Sequence, residues 1–514
     1  MELIQKQLRE IKEEIPLKHL FYLDEDVNIP DSKGDVEQVI CGNGTVKVEM
    51  VQVVENYLKM TGKLFYQILY VTPCEEPETL EGVFSFEEMI YLEEGKGEQY
   101  FVESFSVDLV ATLIHSRKIN VRTTMNTELR CETFLEQRLT MDVESSMPVY
   151  KKKRNVNVLE LYTMKKDTYR IKEEMILPGA KESIGQLLYS EVCDRKLELL
   201  PEENHLSLKG ELQVFAIYLT ENGTLDWLER SVPYMGELPC EGVQEEMYVQ
   251  VQHVLEDSFV ELRTDEDGEM RILGVEGTLN LRMYLYQEEE IELLEDLYAL
   301  GEHCTYDEEK VGYEELVLQN RSKYKLIERL EVPELKGIAD QICYTKGEIQ
   351  VDSVKAVEQG LKVEGFLHLH CLYLREDRKG IFGNWIGKVP FSTQVDCPKM
   401  DGDMNWNLRS SLEQVTVNYG SGGMMDVKAG ISFDAWIRRR NSVDTIENII
   451  FSEITSEELE GRPGMIGYIV KEGDSLWDVA KRYQTTEEQI LNVNGLETEV
   501  LKRGQKLIVT SVDS

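Results

Sequence analysis

Alternation of apolar and polar positions dominates the chain. Leu64, Tyr66, Ile68 and Tyr70 fall on one face of a period-two run, as do Leu212, Val214, Ala216 and Tyr218, and this spacing predicts strands. The second face is partly apolar as well, at Phe65, Leu69 and Val71, so the strands are expected to be covered on both sides, as in a sandwich or barrel. Similar runs begin at Val107 and Gly277, and Gly42-Asn43-Gly44, Asn222-Gly223 and Asp267-Gly268 supply turn signals between runs. At the amino terminus the pattern changes period. Ile4, Leu8, Ile11 and Ile15 share one helical face that Pro16 would end, which predicts a short packing helix.

The strand pattern repeats. IPDSKGDVEQVI from Ile29, LPGAKESIGQLL from Leu177 and VPELKGIADQIC from Val332 align a proline (Pro30, Pro178, Pro333), a lysine three residues on and a glutamine five after that. Downstream, Gly62, Gly210 and Gly365 each precede a tyrosine by eight residues, at Tyr70, Tyr218 and Tyr373. Proline and glycine anchors are 32 residues apart in every copy, and successive copies are offset by 148 and 155 residues. Such long periods exceed those of solenoids, so three tandem domains with separate cores are expected. The segmentation is a helix and lead-in at 1–28, repeats at 29–130, 177–288 and 332–438, spacers at 131–176 and 289–331, and an acidic linker at 439–466.

From 467 to 511 the pattern is strand, helix, helix, strand. Tyr468 to Val470 begins it, Ser475 with Asp478 fits a capping box, and Leu476, Val479, Ala480 and Tyr483 face inward. Thr485 with Glu488 fits a second box, Asn494-Gly495 is a left-handed stop, and Leu507 to Val509 returns as a strand. GDSLW, NG and GQKLIV stand at the spacing of the LysM family, which this segment resembles throughout. Thr510 follows the last strand where that family usually has proline. The resemblance implies a shallow groove for N-acetylglucosamine polymers, with Gly473, Asp474, Ser475 and Leu476 on one side and Asn494, Gly495 and Leu496 on the other. Read as residues alone, the polar members serve equally well as helix caps and turns.

Composition narrows the function. A formal charge of −40 from 56 basic and 96 acidic residues repels phosphate backbones and anionic lipid, so nucleic acid and membrane surfaces are not expected partners. Nine scattered cysteines without a CxxC pair fit reduced thiols. No apolar run is long enough for a transmembrane helix, and the opening MELIQKQLREIKEEIPLKHL lacks the features of a secretory signal, so cytosolic residence is expected.

Candidate chemistry is sparse. His368 and His370 beside Cys371 put two same-face ligands on a strand, but no third ligand stands at a suitable spacing. Gly420-Ser421-Gly422-Gly423 lacks the lysine and following helix of a phosphate loop and reads as a hairpin turn. Acidic pairs are too common here to identify an acid–base site. No enzyme and no cofactor are therefore expected.

The repeat from VPELKGIADQI to LYLRED, with its counterparts, is similar to the SPOCS module of Firmicute spore-coat proteins. Tandem SPOCS-like modules followed by one LysM resemble the clostridial SipL-type spore coat morphogenesis proteins. The fold this implies is mainly β, with three sandwich- or barrel-like modules and a small α+β unit of βααβ order. The implied role is a non-enzymatic adaptor that docks the coat basal-layer ATPase, SpoIVA, at the forespore surface on the mother-cell side. The alternative is a peptidoglycan or N-acetylglucosamine anchor acting through the LysM segment.

Overall fold

The computed structural model describes residues 2–12, 16–92, 99–377, 381–398, 400, 402, 404–420, 422–455 and 464–510. One strand order occurs three times. The first copy holds β1 (Glu2–Lys12), β2 (Leu17–Asn28), β3 (Gln38–Val54), β4 (Tyr57–Val71), β5 (Pro77–Tyr91), β6 (Tyr100–His115), β7 (Lys118–Cys131) and β8 (Thr133–Glu144). The second holds β9 (Val149–Ile176), β10 (Ile184–Glu202), β11 (His205–Thr220), β12 (Leu225–Pro239), β13 (Tyr248–Thr264) and β14 (Met270–Ala299). The third holds β15 (Glu302–Glu331), β16 (Ala339–Val357), β17 (Gly360–Arg375), β18 (Phe382–Asp396), β19 (Met404–Gly420) and β20 (Met424–Glu453). In each copy a three-stranded antiparallel meander (β3-β4-β5, β10-β11-β12, β16-β17-β18) packs on a second sheet (β2-β7-β6, β9-β14-β13, β15-β20-β19). The fold is mainly β, as the alternation predicts.

The sequence anchors have structural causes. Gly62, Gly210 and Gly365 lie opposite Phe86, Tyr234 and Phe391 on the next strand. A Cβ there would come within 2.6, 2.2 and 3.0 Å of the facing ring, so only glycine lets the aromatic lie across the strand. The Tyr70 and Tyr218 hydroxyls donate to Glu78 (2.9 Å) and Asp226 (3.0 Å). The proline anchors open turns closed by Lys33, Lys181 and Lys336 N–H donating to the carbonyls of Pro30, Pro178 and Pro333. Arg117 and Arg271 clamp the first two turns by donating to the same proline carbonyls, at 2.8 and 3.0 Å.

Two expectations are corrected. The amino-terminal segment is the strand β1 rather than a helix, with Leu8 and Glu10 buried on one face and Ile4 exposed; Ile15 lies outside the described residues. Its ladder with β8, more than 120 residues away, overrides the local 3.6 period. The segments at 131–176, 289–331 and 439–466 are not spacers and a linker: β8, β9, the end of β14, β15 and the end of β20 run through them. Their charge disguises them because it is complementary across strands. Lys153 meets Glu292 at 2.9 Å, Asn155 donates to Glu290 at 2.9 Å, and Lys152 meets Glu295 at 3.4 Å. Residues 456–463 of the acidic segment lie outside the described residues. Gly422 and Gly423, at φ 93° and 82°, turn β19 into β20 as the glycine run predicts.

The three copies are not independent. Ile40 and Cys41, Leu188 and Tyr189, and Cys343 and Tyr344 are equivalent by the repeat offsets, as are Leu69, Ile217 and Leu372; all nine meet in one buried hub. Equivalent residues meet again below. Strands β1–β8, the lower halves of β9–β14 and the lower halves of β15–β20 form three two-stranded ribbons around Leu8, Val156 and Val311, with Leu139, Ile291 and Val443. We call this the stalk. In the second and third copies a ribbon and its sheet share continuous strands, with a bulge at Tyr162 and Val317; in the first copy the returning strand is interrupted at Glu132, between β7 and β8. Each copy has its own sandwich core, yet hub and stalk are shared.

The Phe215 ring, fully buried in the hub, stacks on Tyr344 at 4.2 Å. Phe215→Ala is expected to cost about 3–5 kcal/mol. Hydrogen exchange should record lost protection at Leu69 and Leu372 as well as Ile217. A loss confined to the second copy would mean that the hub does not couple the three.

Candidate functional site

The carboxy-terminal unit comprises β21 (Met465–Ile469), α1 (Leu476–Tyr483), α2 (Glu487–Asn494) and β22 (Lys506–Thr510), with β21 and β22 paired antiparallel. This is the βααβ order expected from its spacing. Ser475 caps α1 through a capping box: its Oγ accepts from Asp478 N–H (3.1 Å), and Asp478 Oδ2 accepts from Ser475 N–H (3.0 Å). The second cap is Thr486 rather than Thr485; Thr486 Oγ1 accepts from Gln489 N–H, while Thr485 is fully buried.

The seven groove candidates divide by what holds them. Asp474 accepts from the Tyr468 hydroxyl and from Lys471 N–H (2.8 Å), and these bonds keep its carboxyl below the usual range. Ser475 is committed to its cap, and Leu476 is buried in the core. Asn494 donates to the carbonyls of Ile490 (2.8 Å) and Ile508 (2.7 Å) and accepts from Ile508 N–H (2.7 Å), tying α2 to β22. Gly473 and Gly495 are exposed turns at φ 90° and 60°, and Leu496 is half-buried against the core. Local cap and turn geometry thus accounts for the polar side chains, and the two glycines with Leu496 remain as accessible surface.

An unexpected contact is made by the other side of the unit. Trp477 Nε1 donates to Asp296 at the end of β14 (2.7 Å), and Lys481 Nζ reaches the same carboxylate at 2.5 Å. Tyr306 of β15 donates to Asp296 (2.6 Å), and Tyr298 donates to the Thr485 carbonyl (2.8 Å). Tyr298 stacks on Tyr150, its cross-strand neighbour, and lies edge-on to Trp477 at 4.9 Å. Burial pushes the Asp296 carboxyl up, but the donors Lys481, Tyr306 and Trp477 outweigh it and hold it below the ordinary value. The unit is therefore fastened to the stalk end. Aromatics facing each other across a ladder, Tyr150 and Tyr298, are the signal in the sequence, hidden because both strands were expected to be spacers.

The outer face of the β21–β22 sheet carries three exposed aliphatic side chains, Met465, Ile469 and Ile508 at 65%, 58% and 43% exposure, beside Lys506 and Thr510. Elsewhere, residues of all three copies line an open cavity of about 1030 Å³ whose lining includes Glu103, Asp108, His253, His368, His370 and Arg409. His368 hydrogen-bonds Gln350 (2.9 Å); burial, then Lys346, pushes the His370 pKa down. Among the described residues no group of three or more His, Cys, Asp or Glu is arranged to hold a metal ion, and no helix is long and apolar enough to cross a membrane. All nine cysteines are free.

The SipL SPOCS domain model matches residues 35–114 and 339–419, and the LysM domain model matches residues 468–510. The first and third meanders with the edge strands β6 and β19 carry the SPOCS matches; the second copy shares their strand order. No solved structure matches the chain. Tandem SPOCS and one LysM is the order of SipL-type proteins, and both domains belong to sporulation-linked or binding families rather than catalytic ones.

Asp296 is the polar centre of the attachment. Its folded pKa lies below the unfolded value, so its contribution is complete above about pH 4 and vanishes as pH falls through the folded value. Asp296→Asn is expected to weaken docking by about 2–3 kcal/mol at neutral pH. Exchange should rise in peptides covering 476–490 and 296–306, while peptides of the β21–β22 sheet hold their protection. Unchanged exchange in both docking peptides would contradict this attachment.

Proposed function

We propose that this chain, with its tandem SPOCS domains and LysM unit, is a non-enzymatic adaptor of endospore envelope assembly that docks the coat basal-layer ATPase at the forespore surface. The observation that carries this reading is the division of labour within the LysM unit. Its helix α1 is committed to the stalk through Trp477 and Lys481, three groove side chains are committed to caps and turns, and its outward sheet face exposes Met465, Ile469 and Ile508 around Lys506. Exposed aliphatic side chains around a short sheet suit a protein surface better than a hydroxyl-rich glycan. Fastening the unit to a rigid body lowers the ordering cost of binding a large partner. Residence on the mother-cell side of the forespore belongs to the same reading.

A second reading has its own support. Gly473, Gly495 and Leu496 leave two exposed turns at the groove positions of the LysM family, which fits N-acetylglucosamine anchoring to peptidoglycan.

Purified full chain, tested side by side, separates the two. Ile469→Asp and Ile508→Asp are expected to weaken capture of the coat ATPase at least about tenfold, roughly 1.4 kcal/mol, with the unit still folded by circular dichroism. Leu496→Asp, among the groove positions, is expected to weaken it less. Saturable binding of chitin oligomers, with ATPase capture unaffected by the sheet-face variants, would favour the glycan anchor.

A further inference from the structure

The stalk is built from layers of equivalent residues. One layer is Leu8, Val156 and Val311, all apolar and buried. Two residues along, the same offsets bring Glu10, Val158 and Tyr313 together, and Glu10 is a carboxylate where its counterparts are hydrophobic. Glu10 is only 7% exposed.

A second buried acid is handled differently. Glu132, between β7 and β8, has a side chain that is 2% exposed. It accepts from the Tyr284 hydroxyl at 2.6 Å, pairs with the Arg282 guanidinium, and has Lys166 at 3.8 Å. Glu10 has no such cage. Among the described residues its Oε1 has no hydrogen-bond partner, and the nearest cation to Oε2, Arg440 Nη2, stands 3.8 Å away.

The neighbouring charges are committed elsewhere. From β15, Glu314 faces Glu10 but is paired with Arg438 of β20 at 2.8 Å; that arginine is 4% exposed and also donates to Asn407. Glu315 is 3.9 Å from Arg439. On the ribbon of Glu10 itself, Arg9 is 4.0 Å from Glu136 of β8, and Lys6 is held by Glu160 of β9 and Glu289 of β14. Burial first, and the negative charge of Glu314 second, push the Glu10 carboxyl up to about 7, against the pull of Arg440 and Arg438.

We propose that Glu10 is a proton-controlled latch holding the amino-terminal strand β1 to the ribbon of the third copy. Protonated, its side chain is a neutral member of the stalk layer. Ionised, it is a buried anion with one oxygen unsatisfied, and the layer opens to let water reach it. Because the folded value lies above the ordinary carboxyl value of 4.5, the attachment is strongest below that value and is lost as pH rises through about 7. The switch therefore works across neutrality, where Asp296 at the other end of the stalk does not titrate. In the first copy the ribbon β1-β8 and the sheet β2-β7-β6 are separate sheets, with β7 ending at Cys131 and β8 starting at Thr133, so β1 and β8 are free to loosen without unravelling β2 and β7.

The test is hydrogen exchange of the full chain at pH about 6 and about 8.5, with intrinsic rates corrected for pH. Protection of residues 2–12 is expected to fall about tenfold or more over this range in the wild type, while residues 17–28 hold theirs. Glu10→Gln, which keeps the neutral shape, is expected to retain the low-pH protection at both values. Glu314→Gln removes the like charge, and the midpoint of the wild-type profile should move to lower pH. A flat wild-type profile, an unchanged slope in E10Q, or an unmoved midpoint in E314Q would each overturn the latch.

Discussion

Everything in this molecule depends on three amphipathic β ribbons having one apolar face each and nowhere but one another to bury it. A two-stranded ribbon alone is marginal in water. Placing three around an axis hides Leu8, Val156 and Val311 together, and the meanders above repeat the solution with Leu69, Ile217 and Leu372. A tandem repeat is thereby folded back into a closed ring. This is how a strongly acidic chain remains compact: like charges sit outside, and the apolar stripes face the axis.

Once copies are equivalent, each departure from equivalence stands out. Position 43 of the first copy is Asn43, and its counterparts are Glu191 and Lys346, which meet at 2.7 Å. Gln67 corresponds to Phe215 and His370, and only the phenylalanine fills the hub, while Gln67 accepts from Ser190 N–H at 3.1 Å. These differences fix which copy sits next to which. Threefold symmetry supplies the burial, and its violations supply the order.

Much of the fold was legible in the sequence because the anchors report local necessity. Gly62, Gly210 and Gly365 are glycines because a ring lies across each, and that requirement survives wherever the meander exists. The βααβ unit was legible for the same reason, down to the Ser475 cap. What was not legible is non-local. The charged stretch from Tyr150 carries only strand-like pieces by itself, since its lysines are compensated only when β14 lies alongside. Likewise β1 reads as a helix until β8 is available to pair with it. At the candidate site, family spacing pointed to the groove turns, whereas the contacts of Trp477 depend on an aspartate some 180 residues upstream.

The length of β14 has a mechanical meaning. It runs unbroken from Met270 in the second sandwich to Ala299, where the LysM unit is fastened, and is laddered to β9 throughout. A partner pulling on that unit along the axis would load the β9–β14 ladder in shear, straining many hydrogen bonds at once, rather than peeling them open one after another. The molecule is thus shaped as a tether whose strongest direction lies along its own stalk.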